Sequence, residues 1–129
     1  MFSYDTYEAG RTYGISAYDV SGEICRKWRD LYGKSEKEDP DSAPLGIITL
    51  IQQEAMNQIL IPRTLGNVQA TQVFDIETLP AVGTTVYTEV SCLSKEFRKQ
   101  RRWVQLAFRT RDAAGGLLFR SRNLIIVPS

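Results

Sequence analysis

The sequence of 129 residues contains no histidine. This absence removes the commonest general base, the triads in which an imidazole activates a nucleophile, and every zinc site that needs an imidazole ligand. Cysteine is scarce as well. Cys25 and Cys92 stand far apart and without metal-ligand spacing, so no metal site is expected. With no secretory leader pattern at the N-terminus, both are expected to be reduced thiols of a cytoplasmic protein, buried as small hydrophobes. Long apolar runs are missing: the longest, around Leu45 to Ile51, is far too short to span a bilayer. Charge of one sign is missing too. Sixteen Lys and Arg face fifteen Asp and Glu, leaving a net +1, so neither nucleic acid nor a membrane is an expected partner. Chemistry is left to carboxylates, backbone amides or residues that a partner supplies.

What is present suits a single domain over 1–129, with 43% hydrophobic and 24% charged residues. Residues 1–10 carry aromatic side chains without a period and are expected to form a loosely held arm. A short strand over 11–15 follows. Ser16, with Asp19 three positions on, has the pattern of a capping box and predicts a helix over 17–32. Its apolar stripe would be Val20, Ile24, Trp28 and Leu31, with Cys25 and Tyr32 beside it, and Gly33 would end it. A charged loop, KSEKEDPDS, leads to Ala43-Pro44 and a second helix, IITLIQQEAMNQIL over 47–60, which Pro62 stops. That helix is apolar on most sides, with a narrow polar strip at Gln53, Glu54, Asn57 and Gln58, so it is expected to be central and wrapped. Four strands are predicted over 68–76, 85–93, 103–111 and 117–127. The third alternates: Val104, Leu106 and Phe108 on one side, Gln105, Ala107 and Arg109 on the other. One helix buried against a long antiparallel sheet gives an α+β domain. Trp28, Tyr32, Phe74, Phe97 and Phe108 are expected in its core.

This order of elements resembles the hotdog fold. The segments SAYDVSGEICRKWRDLYG, APLGIITLIQQEAM and LPAVGTTVYTEVSCLSKEFRKQRRWVQLAFRTRDAAGGLLFR are similar to the MaoC-like dehydratase family, in particular to the domains that open two-domain acyl-thioester dehydratases. The resemblance runs from about Gly10 to Pro128. It implies a sheet wrapped around one helix and a second hotdog surface, as a homodimer or a heteromer. The implied ligand is an acyl thioester of coenzyme A or acyl carrier protein, with no resident cofactor. Hydratase members of the family place a catalytic Asp and His in the loop after the first helix. Here Lys34 falls near the Asp position and Asp39 near the His position. The thioester carbonyl would lie near the start of the central helix, where the backbone amides of Leu45, Gly46 and Ile47 would favour developing negative charge. The resemblance thus implies a hydratase or dehydratase subunit whose acid–base pair comes from a partner.

Other residues keep further readings open. Glu36, Glu38, Asp39 and Asp41 are either general-base candidates or the polar side chains of a solvated loop. Glu54 on the central helix is the candidate base of a thioesterase that works without histidine, or else it faces a partner or the helix's exposed edge. Arg98, Lys99, Arg101 and Arg102 crowd a turn, and Arg109, Arg111, Arg120 and Arg122 continue the charge on the following strands. Such a face suits phosphates of coenzyme A, an acidic carrier protein, or another acidic macromolecule held by an interaction module.

Overall fold

A computed structural model of the chain describes residues 1–33 and 39–128. Strand β1 (Thr12–Val20) leads into helix α1 (Gly22–Tyr32), then helix α2 (Ile47–Ile59). Four strands follow: β2 (Val68–Ile76), β3 (Thr84–Arg98), β4 (Arg101–Arg111) and β5 (Leu117–Val127). They form one antiparallel sheet in the order β1-β3-β4-β5-β2. The four later strands lie where alternation and turn residues place them, with β3 extending to the tip of its hairpin.

The first strand and helix differ from the sequence reading. Ser16 is not a helix cap; it sits in β1 opposite Thr88 and donates from Oγ to Gln58 Oε1 at 2.7 Å. Asp19 accepts from Thr85 Oγ1 across the strands. Ser21 is the cap, its Oγ accepting from the Ile24 amide at 3.1 Å. Both serines have cap-like neighbours, and pairing with β3 decides between them. Residues 14–20 gain a ladder with β3 that a local helix cannot match. Gly33 closes α1 at φ 85°, with its amide on the Arg29 carbonyl. The last turn of α1 overshoots the core, so Leu31 and Tyr32 are exposed, and Tyr32 stacks on Trp28. Phe97, also expected inside, is exposed beside the Arg102 guanidinium.

Helix α2 lies on the concave side of the sheet. Ile47, Ile48, Ile51, Gln52 and Ala55 are buried, while Gln53, Glu54, Asn57 and Gln58 face outward as the polar strip predicts. The interior divides into two apolar clusters. Ile47, Ile48 and Ile51 pack with Val20, Cys25, Val86 and Phe119. Ala55 and Leu60 pack with Val90, Leu106, Phe108 and Ile125. Each Val, Leu, Ile or Phe among them contributes roughly 1.5–3 kcal/mol on burial.

The N-terminal residues are not a loose arm. Tyr7 is fully buried and belongs to the second cluster, with Phe2, Tyr4 and Tyr13 packed on it. Phe2 and Tyr13 meet edge to face at 5.1 Å, and Lys95 Nζ donates to the Tyr4 carbonyl at 2.8 Å. Aperiodic aromatics gave no local signal, yet together they plug one end of the interior beside Leu60.

The β3–β4 hairpin turns on Lys99 (φ 52°) and Gln100 (φ 61°), a left-handed pair that favours Asn-Gly. K99N/Q100G is expected to raise stability by about 1 kcal/mol in chemical denaturation. The Tyr7 hydroxyl is buried without a hydrogen bond among the described residues, and burial pushes its pKa up to about 12 from 10.0. A raised folded-state pKa stabilises the fold below pH 10 and loses that contribution as pH approaches 12. Denaturation midpoints on either side of pH 10 are therefore expected to fall more for the native chain than for Tyr7→Phe.

Candidate functional site

The start of α2 is the point at which the family resemblance places a thioester carbonyl. The segment before it is tied down: the Ala43 amide donates to the Pro80 carbonyl, and Arg29 Nη2 donates to the Ser42 carbonyl at 2.8 Å. Gly46 caps the helix with no side-chain hydrogen bond. Of the three amides implied as donors, that of Ile47 already donates to the Pro44 carbonyl at 3.0 Å, so it is not free to hold a ligand. The Ile48 and Thr49 amides likewise turn back, onto Leu45 and Gly46. Leu45 is largely exposed. Gly46 lies against the Trp28 ring, and a Cβ there would overlap Cζ2, Cε2 and Cη2 of the indole. Glycine is required because the Trp28 ring of α1 fills the space a side chain would need. The Leu45–Ile47 segment is thus a close packing point, with Leu45 and Gly46 at its outer edge.

Asp39 is exposed and organises the loop into α2. Its Oδ1 accepts from the Asp41 amide at 2.9 Å and its Oδ2 from Ser42 Oγ at 3.5 Å. This is an Asx-type turn, a structural use of the carboxylate. Lys34, Glu36 and Glu38 lie outside the described residues. Glu54 stands on the exposed strip of α2, near enough to Tyr18 to push its phenol pKa up, after the larger effect of burial. Among the described residues no hydrogen bond or ion pair positions Glu54. Asp39 and Glu54 are not brought together by any contact, and among the described residues no group of His, Cys, Asp and Glu could hold a metal ion.

Sequence reasoning missed a buried polar network between α2 and the β5–β2 side of the sheet. Gln52 and Gln72 exchange amide hydrogen bonds at 2.8 and 2.9 Å, and Ser121 Oγ donates to Gln52 Oε1. Asn123 donates weakly to Met56 Sδ, and its Oδ1 is buried without a hydrogen-bond partner among the described residues. Thr88 and Thr110 pair hydroxyls at 2.8 Å on the same inner face. Polar Ser121 and Asn123 on the otherwise apolar inner face of β5 are the signal that could have revealed it. The network links the edge strand β2 to the central helix.

The basic residues divide into two groups. Arg98, Lys99, Arg101 and Arg102 occupy the tip of the β3–β4 hairpin. Arg98 pairs with Glu96 at 2.8 Å and lies over Trp103, while Arg102 donates to the Pro128 carbonyl. Arg109, Arg120 and Arg122 share the outer face of the sheet instead, about 23 Å along the strand from the tip. Arg111 donates to the Gly115 carbonyl and closes the β4–β5 turn.

No family model matches the sequence, and no curated protein matches it significantly. Solved structures do match. A MaoC-like dehydratase from Rhodospirillum rubrum superposes with a TM-score of 0.82 at 13% identity, over 98% of this chain and 97% of that one. The R-hydratase PhaJ1 from Pseudomonas aeruginosa gives 0.77 at 14% identity, over 98% and 86%. A chain of the HadBC (3R-hydroxyacyl-ACP dehydratase) complex from Mycobacterium tuberculosis gives 0.73 at 17% identity, over 90% and 96%. The chain has the hotdog fold. Its helix α2 is the central helix of that fold, and the architecture is the one shared with these MaoC-like structures. Among the described residues, no helix of the hotdog domain is long and apolar enough to cross a membrane.

Because Gly46 underlies Trp28, Gly46→Ala is expected to cost roughly 1–3 kcal/mol from overpacking. Thermal unfolding checks this, with Trp28→Phe in the same background restoring part of the loss by removing the ring atoms that collide.

Proposed function

We propose that this hotdog domain is a non-catalytic or partner-dependent subunit of an acyl-thioester hydratase or dehydratase. The observation that carries this reading is one combination: a hydratase-like architecture over nearly the whole chain, and no histidine in the sequence. The reaction adds or removes water across the bond beside the thioester, and it needs a group to move a proton at carbon and oxygen. Nothing in the described residues supplies a positioned pair for that transfer. A second hotdog subunit, with its own Asp and His, would provide it, while this chain would shape the acyl tunnel and pair through its sheet edge.

Several features support an open surface for such a partner. Edge strand β2 has Val68, Val73 and Ile76 exposed at 56%, 44% and 41%. The α2 strip with Leu50, Gln53 and Glu54 is also uncovered. Among the similar structures, HadBC is itself a complex of dehydratase chains, and a Staphylococcus aureus protein was solved with CoA, at a TM-score of 0.67 and 7% identity. A coenzyme A or acyl carrier protein thioester is the ligand this reading assigns, with a cytoplasmic location. The thioesterase reading is weaker, since among the described residues no hydrogen bond or ion pair holds Glu54 in place as a base.

Purified alone, the protein is expected to show no hydration of enoyl-CoA. Co-expressed with a histidine-bearing hotdog protein encoded beside it, it is expected to co-purify and raise turnover. Hydration by the isolated chain would overturn the reading. Hydrolysis of acyl-CoA that Glu54→Gln abolishes would instead establish the thioesterase.

A further inference from the structure

The outer face of the sheet, turned away from α2, has a charge arrangement that the thioester reading leaves unexplained. β4 and β5 pair so that Arg109 lies opposite Arg120 and Ala107 opposite Arg122. Side chains alternate across a sheet, so Ala107, Arg109, Arg120 and Arg122 project outward while Phe108 and Ser121 point to the interior. Like charges directly opposite one another destabilise a strand pair. Asp75 of β2 offsets only part of this, with its Oδ2 3.8 Å from Arg120 Nε. Glu89, opposite Arg109 on β3, makes no ion pair with it. Among the described residues Arg109 and Arg122 have no carboxylate partner. The small Ala107 side chain leaves a depression of about 300 Å³ among these groups, with Leu93 as an apolar wall.

We propose that this depression binds a phosphate-bearing small molecule. Its anionic oxygens would be shared by Arg109, Arg120 and Arg122, and an apolar portion would rest on Leu93 and Ala107. Guanidinium forks match phosphate oxygens, and an arriving anion converts mutual repulsion into shared hydrogen bonds. The volume is at the small end of small-molecule sites. The guanidinium groups of Arg98 and Arg102 at the hairpin tip already have local partners, whereas those of Arg109 and Arg122 do not. The site lies on the opposite face of the sheet from α2 and does not depend on thioester turnover.

Calorimetric titration of the full chain with pyrophosphate, ADP and adenosine tests this. Pyrophosphate and ADP are expected to bind, adenosine is not, and added salt is expected to weaken binding. Arg109→Gln and Arg122→Gln keep the aliphatic stems, and each is expected to weaken binding by about tenfold or more, with folding confirmed by thermal unfolding. Asp75→Asn is expected to strengthen it by removing a competing carboxylate. Tighter binding of ADP than of pyrophosphate assigns the ligand to nucleotides, and equal binding assigns it to phosphate alone. Failure of both phosphates to bind overturns the proposal. So does binding that neither arginine variant changes, or capture of heparin alone, which would mark a macromolecular surface.

Discussion

A thirteen-residue helix that is apolar around most of its circumference has to be covered, and covering α2 organises the rest of the chain. A flat sheet would cover one stripe of it. The antiparallel sheet, curving with its natural twist, covers Ile47, Ile48, Ile51 and Ala55 from β1 and β3 across to β5. Trp28 of α1 closes over the start of the helix, and the N-terminal aromatics close the end near Leu60. The stripe left open runs from Thr49 and Leu50 through Gln53 and Glu54 to Asn57 and Gln58. Each boundary of the domain is therefore defined by how it completes the burial of a single helix.

The interior is not uniformly apolar. Gln52, Gln72, Ser121 and Asn123 cross between α2 and the β5–β2 side, and the amide pair holds β2 to the helix through hydrogen bonds. A buried amide without partners is costly, so this network favours one register of β2 against the helix over neighbouring ones. The absence of histidine then has a structural setting. The fold is shared with solved dehydratases and hydratases, while the loop after α1 contributes Asp39 and Asp41 among its described residues, and Asp39 builds a turn.

The two faces of the sheet do different physical work. Its inner face, with Val86, Val90, Leu106 and Phe108, excludes water around α2. Its outer face holds the arginines at 109, 120 and 122 over Ala107, an arrangement with little intrinsic stability. A surface that gathers like charge around a concavity differs from one that scatters it, because only the former concentrates positive potential where an anion can enter.

How far the sequence reached follows from which interactions are local. Alternation in Val104, Leu106 and Phe108, turn residues between strands, the Pro62 stop and the greasy pattern of α2 are encoded within a few residues, so four strands and the central helix were legible. Gly33 as a helix end was legible for the same reason. The conversion of Ser16–Val20 from helix to strand was not, because it rests on pairing with Thr84–Thr88 some seventy residues away. Tyr7 in the core, the Gln52–Gln72 pair and the inward turn of the Ile47 amide were hidden likewise. The missing histidine limited the chemistry before any fold was known. Only the tertiary structure decided which arginines meet, since the register of β4 against β5 sets Arg109 opposite Arg120, and register is a property of paired strands rather than of either strand alone.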